Sequence, residues 1–214
     1  MKKPLQIKQV APVWLQDYAP GFSMYTLKQD DIISEGMAWF MSQDAPLEFA
    51  KLLKQGFNAG LSHVISVETA TQGIEATVGG VQRSDLNKYF DDPSYIVVCR
   101  EPKHMTNEDL MMMQAYERSL IGKDYDYGVL PWFAFMSLTG IQKYSKKLRE
   151  MTPVGHKDNA WVCSSFKADG YFHTNSFRDC DLFNEWNIYG IHVNRLFLSF
   201  PYKFFKIGEV REWI

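Results

Sequence analysis

Four short stretches of this 214-residue chain carry side chains that could do chemistry. The first is Trp161-Val162-Cys163-Ser164-Ser165-Phe166, a lone cysteine at the start of a run that can form a helix. Unpaired N–H groups at a helix N-terminus favour a negative charge, so a thiol placed there makes a good nucleophile. The plainer reading is a buried structural cysteine. The second stretch is Leu61-Ser62-His63-Val64-Ile65-Ser66-Val67, and the third is Ile74-Glu75-Ala76 on the next strand-like segment. Side chains alternate faces along a strand, so His63, Ile65 and Val67 share one face while Ser66 and Glu68 share the other. If the two strands pair as a hairpin with odd numbers opposite odd, Glu75 joins the His63 face and Glu68 does not. A carboxylate there would hold the tautomer and orientation of the imidazole, as the third member of a nucleophile, base and orienter set does. The fourth stretch is Gly122-Lys123-Asp124-Tyr125-Asp126-Tyr127. It reads either as a turn with aromatic packing or as a device that brings the Tyr125 hydroxyl into a cleft as a hydrogen-bond donor.

The elements that must position these residues follow from the surrounding pattern. Pro4, Pro12 and Pro20 make residues 1–25 an irregular arm, and residues 46–59 read as an amphipathic helix. Leu61 to Glu68 and Gly73 to Val78 are strands joined by a turn; Gly79-Gly80 permits a bend, and Val81 continues the sheet. Ser84 is a candidate cap for a short helix through Phe90. Tyr95 to Arg100 reads as a buried strand. Thr106-Asn107-Glu108-Asp109 has the form of a capping box, and the helix it opens stops at Gly122. Met111 to Met113 are expected to fill core space. A second helix is expected over 134–150, with Lys143, Lys146, Lys147 and Arg149 on a solvated face. A polar, aromatic-studded loop follows near 173–190, and a final strand is expected around 192–200. Together these predict an α+β fold: a small, mostly antiparallel sheet or open barrel with helices packed against it.

Ser62-His63-Val64, then Glu75-Ala76 with Gly80-Val81 and Leu86, then Gly122-Lys123-Asp124-Tyr125-Asp126, then Cys163-Ser164 stand in an order that resembles the circularly permuted papain-like hydrolases of the NlpC superfamily, in their YiiX-like branch. There the histidine strand precedes the cysteine helix. The resemblance covers roughly residues 27–172. It implies a permuted papain-like fold, Cys163 as nucleophile, His63 as base and Glu75 as orienter, with Tyr125 brought to the nucleophile by the Gly-x-x-Tyr-Asp segment. Asp30-Asp31-Ile32-Ile33 resembles the turn that opens the family's domain, with Asp30 where Gly is usual. A second departure is Ser164-Ser165-Phe166, where the family often has Ser followed by Glu and Leu. The related lecithin retinol acyltransferases place a second His where Glu75 stands, and their cysteine motif is absent, which favours hydrolysis over acyl transfer. The substrates implied are peptide-like amides of cell-wall fragments or lipid-linked acyl groups.

Composition bounds the remaining possibilities. Hydrophobic residues make up 46% of the chain and the formal net charge is −2, so a globular domain is expected and a nucleic-acid footprint is not. Three cysteines do not suggest a disulfide framework and suit a reducing compartment. Cys99 reads as inert in an apolar strand, and Cys180, between Asp179 and Asp181, as a poor nucleophile. His104, His156, His173 and His192 show no metal-ligand spacing, so neither a metal nor another cofactor is expected. No signal peptide or membrane span is read, which predicts a protein cytoplasmic where it is synthesised, and virion-associated if phage-encoded. One domain is expected over 27–200, with an arm at 1–26 and a tail at 201–214. Arm and tail, the latter flanked by Phe197 and Phe200 and carrying Tyr202, Phe204, Phe205 and Trp213, are candidate docking surfaces for protein partners. The competing function is therefore a non-catalytic module of a larger assembly, such as a phage tail tip or baseplate.

Overall fold

The computed structural model describes residues 38–43, 63–69, 71–88, 95–102, 105–139, 145–193, 195–196, 202–206 and 209–212. The expected arm, the helix at 46–59, the turn at Asp30 and the side chain of Cys99 lie outside the described residues. Among the described residues nine strands form: β1 (Ala38–Gln43), β2 (His63–Val67), β3 (Gln72–Thr77), β4 (Gly80–Asp85), β5 (Tyr95–Pro102), β6 (Asp124–Tyr125), β7 (Ala160–Trp161), β8 (Tyr202–Lys206) and β9 (Glu209–Glu212). The helices are α1 (Asn107–Ser119), α2 (Leu130–Thr139), α3 (Lys146–Glu150), α4 (Cys163–Phe172) and α5 (Asp181–Glu185), with single 3-10 turns at Tyr127–Val129 and Ile188–Gly190.

Seven strands make one antiparallel sheet in the order β4-β3-β2-β1-β5-β8-β9, while β6 and β7 form a separate parallel pair. The architecture is α+β, and among the described residues the main sheet is open rather than closed into a barrel. The stretch expected as a C-terminal tail supplies β8 and β9, and β8 pairs with β5 through Arg100 opposite Phe204. Val64, Ile65, Ser66 and Val67 of β2 are all buried, as a near-continuous apolar run on an interior strand requires.

The central helix is α4. Every residue from Cys163 to Tyr171 is buried, so this helix is enclosed on all sides rather than amphipathic. One contact region joins Phe166 and Trp161 to Ile74, Ala76 and Val81 of the sheet; another gathers Cys163, Ala168 and Tyr171 with Val64, Met113, Leu182 and Leu196. A charged residue is enclosed with them. Lys167 Nζ donates to Glu117 Oε1 at 3.0 Å and to Ser66 Oγ at 2.7 Å, and Ser66 donates to Glu117 Oε2 at 2.6 Å. This network ties α4, α1 and β2 together and satisfies charges that would otherwise be costly to bury. Gly170 leaves the room, since a Cβ there would stand 2.7 Å from Glu117 Oε1.

The capping box at Thr106 forms: its hydroxyl accepts from the Asp109 N–H, and Asp109 accepts from the Thr106 N–H. Of the methionine cluster, Met113 is fully buried but Met111 is exposed. Four expected elements differ. The stretch near 173–190, expected as a loop, carries α5 and the 3-10 turn at Ile188–Gly190, with Asn187 capping the latter through its side chain. The helix at 134–150 is two helices, because Ser145 is extended and its side chain caps α3 at Leu148 N. Where a final strand was expected, Val193, Arg195 and Leu196 are helical, and Val193 and Leu196, three apart, are both buried. Ser84 lies within β4 instead of capping a helix; the local cap is Asp85, whose carboxylate accepts from Asn87 N at 2.9 Å.

Candidate functional site

The N-terminal residue of α4 is Cys163. Val162 precedes it with extended backbone, φ −91° and ψ 167°, and accepts the first helical bond from Phe166 N at 2.9 Å. Val162 has no capping side chain, and Ser165 takes over: its hydroxyl accepts from Val162 N at 3.0 Å and donates to Val162 O at 3.1 Å. Ser165 thus does at the third helical position what Gln or Glu does in a capping box. The N–H groups of this first turn have no acceptor within the helix, so their partial positive charge is available at Cys163.

The helix brings Cys163 to the end of β2, where His63 is the first residue. His63 Nε2 lies 2.6 Å from Glu75 Oε2, which leaves Nδ1 as the nitrogen for the sulfur. Ser66 pairs with Ile74 and Val67 with Gly73, so even faces even and odd faces odd, and Glu75 shares the His63 face. Burial weighs most on the imidazole and opposes its charge. The Cys163 sulfur, by charge and by hydrogen bond, and then Glu75 outweigh it, and the His63 pKa rises from 6.5 to about 10.

Glu75 is fully enclosed, its side chain 1% exposed. Burial would raise its pKa, but His63 and then hydrogen bonds from Lys88 and Ser84 hold the carboxyl well below the usual range. Lys88 Nζ donates to Oε1 at 2.8 Å, and the Ser84 hydroxyl donates to the same oxygen. Glu68 faces the other way. It accepts from Arg83 at 2.7 and 3.0 Å and from Arg118 at 2.7 Å.

Tyr125 arrives from β6, opposite Trp161 of β7. The segment is anchored to the sheet: Val81 N donates to Lys123 O at 2.9 Å, and Gly122 N to Val81 O at 2.8 Å. Gly80, at φ +95°, permits this approach, since a Cβ would stand 2.4 Å from Lys123 O. Burial, followed by charge at Cys163, Tyr127 and Asp126, pushes the Tyr125 phenol well above its ordinary pKa, so it remains a donor. A cleft of about 430 Å³ opens along this segment, lined by Tyr125 with Gly80, Tyr127, Gly128, Gly155 and Lys157.

His63 is thus held by Glu75 and acts electrostatically with Cys163, while Tyr125 is near enough for charge on Cys163 to raise its phenol. No protein-family model and no curated protein matches the chain. Cys180 is separate from this group, and burial, with Asp181 adding to it, pushes its thiol up. Sequence reasoning missed Ser84 and Lys88 as partners of Glu75, and it dismissed His156, which is paired with Asp126. Among the described residues no helix is long and apolar enough to cross a membrane.

A histidine whose folded pKa exceeds its unfolded value stabilises the fold most fully below the unfolded value and ceases to do so as pH rises through the folded one. For His63 that window runs from 6.5 to about 10. Nitrogen-15 NMR of the ring is expected to show imidazolium at pH 8 and a midpoint near 10; a midpoint at or below the ordinary 6.5 would mean that the sulfur and carboxylate do not outweigh burial. Across the same window wild-type melting temperature should fall more than that of His63→Gln.

Proposed function

We propose that this protein is a cysteine hydrolase with a permuted papain-like, NlpC-type fold, cleaving an amide or ester through an acyl-enzyme on Cys163. The single observation that supports this most is His63, held by Glu75 at 2.6 Å and acting on the Cys163 sulfur at the start of a helix. Each member of that line answers a requirement of the reaction: a thiolate, a proton carrier and a group that fixes the carrier's tautomer.

In the first half-reaction the Cys163 thiolate attacks the carbonyl carbon and the C–S bond forms as the carbonyl π pair moves onto oxygen. The Cys163 N–H and the Tyr125 hydroxyl donate to that oxyanion. As the pair returns, the bond to the leaving amine or alcohol breaks, and His63 gives the leaving group its proton. In the second half, neutral His63 takes a proton from water as its oxygen attacks the thioester; the C–S bond breaks, leaving carboxylic acid, thiolate and imidazolium. Glu75 orients the ring throughout. No cofactor enters these steps. Peptide-like amides of cell-wall fragments and lipid-linked acyl groups are the substrate classes this reading favours.

The test is a generic acyl donor, p-nitrophenyl acetate, with the product followed by absorbance and intact mass. The expected result is a burst of p-nitrophenol and an acetyl adduct that maps to Cys163. An enzyme that acquires no adduct there, under conditions where free cysteine does, would leave the non-catalytic assembly module as the better reading.

A further inference from the structure

Asp126 and His156 form a second buried carboxylate–imidazole pair, outside the line at Cys163. Their side chains are 2% and 6% exposed, and His156 Nδ1 lies 2.5 Å from Asp126 Oδ2. The histidine ring stacks on Tyr189, centroids 3.9 Å apart and planes 25° apart. Asp126 is engaged on every side. Oδ1 accepts from Gly128 N at 3.2 Å, Oδ2 also accepts from Lys157 N at 3.3 Å, and the Asp126 N–H donates to Trp161 O at 3.2 Å. The segments it joins sit backbone on backbone: a Cβ on Gly128 would stand 1.7 Å from Gly155 O.

Two features give this clasp a direction. Asp126 directly follows Tyr125, and the carbonyl it grips belongs to Trp161, two residues before Cys163. Trp161 is in turn fixed to α4, its Nε1 donating to Asp169 Oδ2 at 2.9 Å. An apolar pair of equal volume could pack these loops without desolvating a carboxylate. It could not fix the rotation of the peptide that carries Tyr125. We infer that His156 is a positioning residue: through Asp126 it sets the Tyr125 hydroxyl against the Cys163 nucleophile. This rests on the proposed acyl-transfer role of Cys163.

The test reads the acylation rate of Cys163 by p-nitrophenyl acetate in the full chain, for His156→Leu, His156→Asn and His156→Gln, each with Tyr125 intact and as Tyr125→Phe. Asn places an N–H near the Nδ1 position and is expected to retain most of the rate. Leu and Gln do not present a donor there, and each is expected to slow acylation about tenfold. With Tyr125→Phe already in place, the same substitutions should cost less than about twofold, because residues acting through one group are not additive. Should His156→Leu fail to fold, His156→Gln against His156→Asn carries the comparison. Equal losses in both backgrounds, or no loss in either, would overturn the positioning role while leaving the hydrolase reading standing. A wild-type protein that is not acylated at Cys163 would overturn both.

Discussion

Cys163→Ala is expected to abolish acyl transfer while leaving the fold nearly intact. Cys163 is 6% exposed and belongs to the core around α4, but the substitution removes a single sulfur, a stability cost on the order of 1 kcal/mol. The helix start does not depend on it, since Ser165 supplies the cap. The chemistry does: without a nucleophile no acyl-enzyme forms, and turnover should fall by roughly 10⁴-fold or more. Activity and thermal melting measured together decide the matter. A variant that melts far below the wild type, with an activity loss that only tracks unfolding, would make Cys163 a packing residue.

Glu75→Gln should slow turnover by about ten- to a thousandfold, while Glu68→Gln leaves it near wild type. The hydrogen bonds around Glu75 dictate how the amide would sit. Lys88 and Ser84 both donate to Oε1, so the amide oxygen must take that side and the amide nitrogen must face His63. That nitrogen is a donor, so Nε2 becomes the acceptor and the ring proton moves to Nδ1, the side from which the sulfur's proton should be received. An isosteric change of this kind at a buried triad aspartate costs about 10⁴ in kcat by the same wrong-tautomer route. A smaller loss is expected here because cysteine–histidine pairs form a thiolate readily. The stability cost should be about 1–3 kcal/mol, for a buried ionic hydrogen bond lost. Glu68→Gln loses its arginine partners, but these side chains are 49% and 46% exposed and can return to water, so its cost should be at most about 1 kcal/mol. If Glu68→Gln proved the damaging change in a turnover assay, Glu75 would not be the orienter.

What the sequence made legible was local or periodic. The parity of strand positions was enough to separate Glu75 from Glu68, once even was known to face even across β2 and β3. The spacing Thr106 to Asp109 announced α1. Ser84 could have been found the same way: the two-residue turn between Thr77 and Gly80 fixes Gly73 opposite Ser84, which puts the hydroxyl on the Glu75 face. The long-range pairs had no such signal. Asp126 and His156 are thirty positions apart, and Lys167 finds Glu117 across fifty; a lysine in a helix reads as solvated until its helix proves to be enclosed. The break before α3 was signalled by Ser145 as an N-cap, but the apolar and basic pattern on either side hid it.

The central claim is that Cys163 is an activated nucleophile, and the most direct measurement is brief, limiting treatment with iodoacetamide at neutral pH, followed by peptide mapping of the three cysteines. Cys163 should be modified first despite its burial, because it sits at a helix N-terminus beside a charged His63. Preferential labelling of Cys99 or Cys180 would contradict the account.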